Sequence, residues 1–240
     1  MCNLYSQTKG QQAILELTRA MRDATGNLPM QPGIYPDYSA PIVRNSADGK
    51  RELVTARWGM PSSQYALMQS TKKRAAKLEA KGEKIDFKQL QGMEPDSGTT
   101  NIRNTGSNHW KRWLGVMHRC VVPFTSFSEF NKQAGGNIWF AFDKSRPLAF
   151  FAGIHVPRWT SVRKVKECET TNDLYGFLTT DPNNEVAAIH PKAMPVILRT
   201  HDEIETWLTA PSDEALKLQR PWPNDSLVIV ATGTKEDEAA

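Results

Sequence analysis

A single α+β domain, built on a mixed, partly barrel-like β-sheet core flanked by short helices, is the fold class this sequence predicts. Three observations carry that prediction. The chain has 240 residues, 39% of them hydrophobic, which suits one sizeable core. Its second half holds a succession of short strand-like apolar runs. Short helical patterns lie among those runs without strict strand–helix alternation, which argues against a doubly wound parallel sheet.

Taken in order, residues 9–25 carry Ala13, Ile14, Leu17 and Met21 at helical spacing, and Gly26-Asn27 is the expected stop. "LPMQPGIYPDYSAP" is Pro-rich and reads as an extended, irregular connector. "PIVRN" and "RELVTARWGM" read as strands around the turn Ser46-Ala47-Asp48-Gly49. Residues 72–92 form a basic helical segment in which Lys72, Lys73, Arg74, Lys77, Lys81, Lys84 and Lys88 face only Glu79, Glu83 and Asp86. Such a segment is either a solvated helix face or part of a surface for nucleic acid. "MEPDSGTTNIRNTGSN" is a long polar loop, a common place for function. Strands are then expected at "RCVVPF", "NIWFAF", "PLAFFAGIHV", "DLYGFLTT", "MPVILR" and "SLVIVAT". Helices are expected near 182–189, 201–209 and 212–219, the first capped by Asp181 or Asn183 and the second by Thr200 or Asp202. The domain is expected to span 2–232, with a frayed tail over 233–240.

Composition narrows the function classes. The net charge of +4 is compatible with a polyanionic partner without requiring one. Mean hydropathy is −0.52, and no apolar run is long enough to cross a membrane. Cys2, Cys120 and Cys168 form neither a disulfide framework nor a zinc spacing, and they fit a reducing compartment. No metal or cofactor is expected, and a cytoplasmic monomer is.

The candidate nucleophile is Cys2. Removal of Met1 exposes an amine and a thiol on adjacent carbons. The amine condenses with an aldehyde to an imine; the thiol then closes on the imine carbon to give a thiazolidine. The ordinary pKa values, about 7.7–8.0 for the amine and about 8.5 for the thiol, leave both reactive near neutrality. An N-terminal position without function is the alternative. Asn101 and Arg103 in "TTNIRNTGSNHW" suit holding an amine or hydroxyl and gripping phosphate, or simple loop hydrogen bonding. Glu129 follows a strand and a run of small and aromatic residues, where enclosure would raise its pKa. His190 ends a short apolar helix, as a proton shuttle or as a structural histidine.

The start Met1-Cys2, then "RWGMP", "NIRN", "RCVVPFTSFSEF", "FFAGIHV", "FLTT" and "IHPKAMPVIL", resembles in order the SRAP family of SOS-response-associated peptidases, or abasic-site processing proteins. The resemblance runs from residue 2 to about residue 209 and points to a bacterial subgroup. It implies the SRAP fold and a covalent thiazolidine crosslink between Cys2 and the ring-opened aldehyde of abasic sites in single-stranded DNA, which protects the lesion. It further implies that Asn101 positions the Cys2 amine, Glu129 handles protons, and His190 helps to open the sugar. By the same resemblance Arg103 grips phosphate, and Trp58 and Phe130 lie near the bases. The chain departs from the family at Cys2-Asn3-Leu4, where Cys-Gly-Arg is usual. It also carries one extra residue within His190–Pro195, where Lys192 supplies charge without the arginine fork. Ser128 and Phe130 stand where the family has a tyrosine and a tryptophan. Two other readings stay open: an N-terminal-nucleophile cysteine peptidase limited to self-processing, and a non-covalent single-strand-binding module. Association with the nucleoid is expected when the protein is on DNA.

Overall fold

A computed structural model describes residues 2–237. The chain folds as one α+β domain around a closed barrel. Five strands make the ring: β4 (Ser39–Asn45), β5 (Arg51–Trp58), β7 (Arg119–Phe124), β10 (Ala149–Val162) and β11 (Glu169–Thr180). They pair antiparallel in the order β5-β4-β7-β10-β11, and a parallel contact of β11 with β5, Tyr175 opposite Trp58, closes the circle. Short strands extend it: β2 (Arg22–Asp23) beside β5, β6 (Asn101–Ile102) and β12 (Met194–Pro195) beside β11, and β13 (Ile197–Leu198) beside β10. A second, all-antiparallel sheet takes β1 (Leu4–Gln7), β3 (Gln31–Ile34), β8 (Ser126–Asn131), β9 (Gly136–Ala141) and β14 (Val228–Thr232) in the order β14-β9-β8-β1-β3.

Alternation along the barrel strands sorts the core into two clusters. Ile42, Val54, Val122 and Phe151 face inward, where Tyr5, Phe127 and Phe140 of the second sheet meet them. Their neighbours Val43, Leu53, Val121 and Phe150 face outward and are equally buried. Helices α1 (Gln11–Thr18) and α6 (His201–Thr209) cover that outer face with Ile14, Ile204, Trp207 and Leu208. Of the two expected caps of α6, Thr200 serves, in a reciprocal capping box with Glu203. Asn183 caps α5 (Asn184–Ala187). The basic segment is a helical pair, α2 (Gln64–Glu79) and α3 (Phe87–Gly92), with its lysines exposed. Shorter helices α4 (Asn108–Lys111) and α7 (Ser212–Ala215) lie in the connections.

Two expectations are corrected. The first helix stops at Thr18, well before Gly26. Arg19 takes a left-handed conformation (φ 51°), and the Arg51 guanidinium donates to the Thr18 carbonyl at 2.5 Å, ending the helix. The tail is not frayed over Gly233–Asp237. Gly233, Thr234 and Lys235 bond to Asn137, Trp139 and Tyr35. Asp237 is 2% exposed; its carboxylate accepts two bonds from Arg146, at 2.7 and 2.8 Å, and one from Ser126 at 2.5 Å. Residues 238–240 lie outside the described part.

That buried pair makes a stability prediction. Asp237→Ala leaves a largely enclosed guanidinium and the Ser126 hydroxyl without their partner, and should cost about 3–5 kcal/mol in urea unfolding. An unchanged midpoint would show that the segment contributes nothing to the fold.

Candidate active site

Strand pairing delivers the N-terminal segment to the site. Leu4 lies opposite Ser128 and Tyr5 opposite Phe127, which carries Cys2 to the end of β8 that holds Glu129. Asn101 opens β6, whose register on β11 (Asn101 opposite Phe177) fixes it beside the same end of β1. Its Nδ2 donates to the Cys2 carbonyl at 2.8 Å, to Thr100 Oγ1 at 2.8 Å and to Asn3 Oδ1 at 3.3 Å. The Asn101 Oδ1 is buried and accepts no hydrogen bond among the described residues, so it is poised for a donor.

Glu129 is 2% exposed, with Oε2 3.9 Å from His190 Nδ1. Burial pushes its carboxyl up to about 7, into the range of a neutral-pH proton carrier. His190 Nδ1 lies 3.1 Å from the Ala193 carbonyl, which can only accept; in the neutral ring Nδ1 therefore carries the proton and Nε2 is the basic nitrogen. Burial holds this imidazole below its usual value. Cys2 is 1% exposed and its thiol points to the Leu4 carbonyl at 3.5 Å. Burial, seconded by the Glu129 carboxylate, pushes the thiol far up. The expectation of a thiol reactive at its ordinary pKa is thus corrected: a thiolate is disfavoured in this position.

Glu129 and His190 border a cavity of about 370 Å³ together with Asn3, Tyr35, Phe130 and Asn137; Cys2 and Asn101 lie behind its wall, joined to it through Asn3. A second depression of about 310 Å³ runs along Asn131, Lys132 and Gln133, and Phe130 and His190 border both. Phe130 is 59% exposed between them. A larger hollow of about 480 Å³, beside Arg19, Arg51 and Glu205, contains none of the four candidate residues.

The remaining assignments divide. Arg103 follows β6 at the surface with its guanidinium paired to Asp181. Lys192 is exposed on the turn after His190, and its charge also acts on that ring. Trp58 is corrected. It is fully buried, stacked on Tyr175 and Phe177, with Nε1 donating to the Thr100 carbonyl at 3.2 Å. No base can reach its ring. The sequence did not single out Asn3, Tyr35 or Asn137 as lining residues; the Tyr-Pro pair in the connector was the available signal. Among the described residues no group of three or more His, Cys, Asp or Glu side chains is placed to hold a metal, and no helix is long and apolar enough to cross a membrane.

A profile of the family described as SOS response associated peptidase (SRAP) matches residues 1–235. Similar solved structures include a protein from Bacteroides thetaiotaomicron, 21% identical, with a TM-score of 0.63 over 95% of this chain and 90% of that one. Another, from Bordetella bronchiseptica, is 21% identical, with a TM-score of 0.61 over 95% and 97%. A phage-related protein of the same organism is 16% identical, with a TM-score of 0.61 over 95% and 92%. At these identities the likeness is one of fold. No curated protein matches the chain.

The enclosed Glu129 makes stability depend on pH. Its pKa is raised from 4.5 to about 7, so the folded chain favours the protonated form. The stability this group contributes is present below pH 4.5 and is lost as pH rises through about 7, by roughly 3 kcal/mol. Glu129→Gln should abolish the dependence. Its melting temperature relative to wild type should be several degrees more favourable at pH 8.5 than at pH 4.5. An equal difference at both pH values would show the carboxyl to be unshifted.

Proposed function

The chain belongs to the SOS response-associated peptidase (SRAP) family, which ties it to the response to DNA damage, and on that premise we propose that it captures abasic sites in single-stranded DNA covalently through Cys2. The convergence of four residues carries this reading: Asn101 bonds the Cys2 carbonyl, the Glu129 carboxylate acts on the Cys2 thiol, and Glu129 and His190 border the cavity beside Asn3. Removal of Met1 turns the Cys2 nitrogen from a peptide nitrogen into a primary amine. The Oδ1 of Asn101 is the acceptor that holds it. His190 Nε2 takes the proton of the sugar hemiacetal hydroxyl, the ring C–O bond breaks, and the imidazolium returns that proton to the released ring oxygen, leaving a hydroxyl and the aldehyde.

Balance then fixes the roles. The amine adds to the aldehyde carbon, and protonated Glu129 gives its proton to the departing hydroxyl, which leaves as water. The carboxylate so formed takes the proton of the Cys2 thiol as sulfur bonds to the iminium carbon, which restores protonated Glu129; the nitrogen keeps its one remaining hydrogen and becomes neutral. A thiol held neutral by burial favours this sequence, imine first and sulfur second. The product is protein plus DNA less one water. Phe130, exposed between two depressions, supports the passage of a strand with one base on its ring, and Lys132 and Lys192 offer charge to the backbone. Arg103 reaches phosphate by exchanging Asp181 for it.

Intact mass spectrometry of the protein with an oligonucleotide bearing one abasic site, without reductant, tests the proposal. The adduct expected is the chain lacking Met1 plus DNA minus water. Cys2→Ala should give none; Cys2→Ser should give only an imine that borohydride traps. Glu129→Gln should slow formation roughly 10²- to 10⁴-fold. Binding without any adduct, from folded protein shown to lack Met1, would leave the non-covalent module; cleavage of peptides lost in Cys2→Ala would leave the peptidase.

A further inference from the structure

The turn Tyr35–Tyr38, after β3, is built more firmly than a connector needs. Asp37 is a non-glycine residue at φ 73°, a conformation that persists only where surroundings over-determine it. The surroundings do so. The Asp37 carboxylate accepts from Arg57 twice at 2.7 Å, from Arg163 at 3.1 Å and pairs with Lys164 at 3.1 Å. Burial pushes this carboxyl up, but the bonds from Arg57, Lys164 and Arg163 outweigh it and hold it at about 2. The backbone is pinned as well. Asp37 N–H donates to the Trp58 carbonyl and Trp58 N–H to the Tyr38 carbonyl, both at 2.9 Å.

What this frame presents is a pair of phenol rings. Tyr38 is 54% exposed, and its ring centroid lies 5.6 Å from that of Tyr35, tilted by 60°. Tyr35 borders the cavity that holds Glu129 and His190, and its hydroxyl is tied to the Lys235 carbonyl at 2.6 Å. The exposed Tyr38 ring is thus held one ring away from the cavity wall, which Tyr35 forms, with Lys164 half-exposed in the cluster behind it. The Trp58 ring cannot stack on a base, but its backbone braces a residue that can.

We propose that the Tyr35–Tyr38 turn is a base-stacking subsite, on which an unpaired nucleobase adjoining the nucleotide in the cavity lies against the Tyr38 ring. This rests on the reading that the cavity receives single-stranded DNA. A phenol face accepts any base, as a reader of lesions in arbitrary sequence requires. A frame fixed in advance loses little freedom on binding.

The test uses the full chain and an oligonucleotide with a tetrahydrofuran abasic analogue, which has no aldehyde, flanked on either side in turn by 2-aminopurine. Wild type should quench one flanking position more than the other. Tyr38→Ala should lose that quench and bind roughly 5- to 100-fold more weakly; Tyr38→Phe should keep both. Unchanged quench and affinity in a folded Tyr38→Ala overturn the subsite, as does equal loss in Tyr38→Phe, which would mean a hydroxyl contact instead. The adduct on a true abasic site is read by mass in parallel. A wild type that quenches without forming the adduct would keep the subsite and sink only the covalent reading. A wild type that binds no oligonucleotide would sink both.

Discussion

Pairing of β1 with β8 is the constraint on which the rest depends. Three residues, Leu4, Tyr5 and Ser6, lie against Ser128, Phe127 and Ser126. That short ladder decides where Cys2 can be, because only Asn3 separates Cys2 from it. A slip of one residue would turn Tyr5 out of the aromatic core. Tyr5 is fully buried, with its hydroxyl 2.5 Å from that of Tyr175 and its ring edge-on to Trp58 and Phe151. The aromatic core therefore fixes the register, and the register fixes the site.

Enclosure gives the site its chemistry and costs it readiness. The burial that lifts Glu129 to about 7 also pushes the Cys2 thiol far above its usual value. A proton carrier gains from the first effect; a free nucleophile is quieted by the second. An arrangement in which the amine acts first and the thiol follows reconciles the two. A buried, neutral thiol is also a poor target for oxidants and stray electrophiles, which need the thiolate.

The barrel was legible because both faces of its strands are buried. "RCVVPF" and "PLAFFAGIHV" read as continuous apolar runs, and they are β7 and the first part of β10. In the second sheet only "NIWFAF" and "SLVIVAT", which are β9 and β14, were legible; β1, β3 and β8 were not. β1 is Leu-Tyr-Ser-Gln, β3 is Gln-Pro-Gly-Ile and β8 holds two serines, a glutamate and an asparagine; these become strands through their partners rather than through propensity. The site follows the same division. Cys2 was legible from its chemistry, whereas Asn101, Glu129 and His190 gained their roles from the resemblance, since their mutual distances depend on the illegible strands β1 and β8. Trp58 was misplaced because its position in the chain does not show which face of β5 it occupies. Tyr38 went unremarked because the Asp37 cluster gathers charges from residues 57, 163 and 164.

The burial of Cys2 also sets a clock. On the proposed reading Met1 must be removed, and Cys2, the residue behind the bond to be cut, is 1% exposed once β1 is paired. The pairing partner, Ser128, is made 124 residues after Leu4. At roughly 5–20 residues per second, translation leaves an interval on the order of ten seconds in which the start of the nascent chain is open. On that reading trimming would belong to that interval, while the ribosome still holds the rest of the protein. The strap that completes the sheet arrives later still, since Asp237 meets Ser6 across 231 residues. On the proposed reading, a chain that folds before it is trimmed would be sound in structure and barren in chemistry, and the yield of competent molecules would be decided at the ribosome.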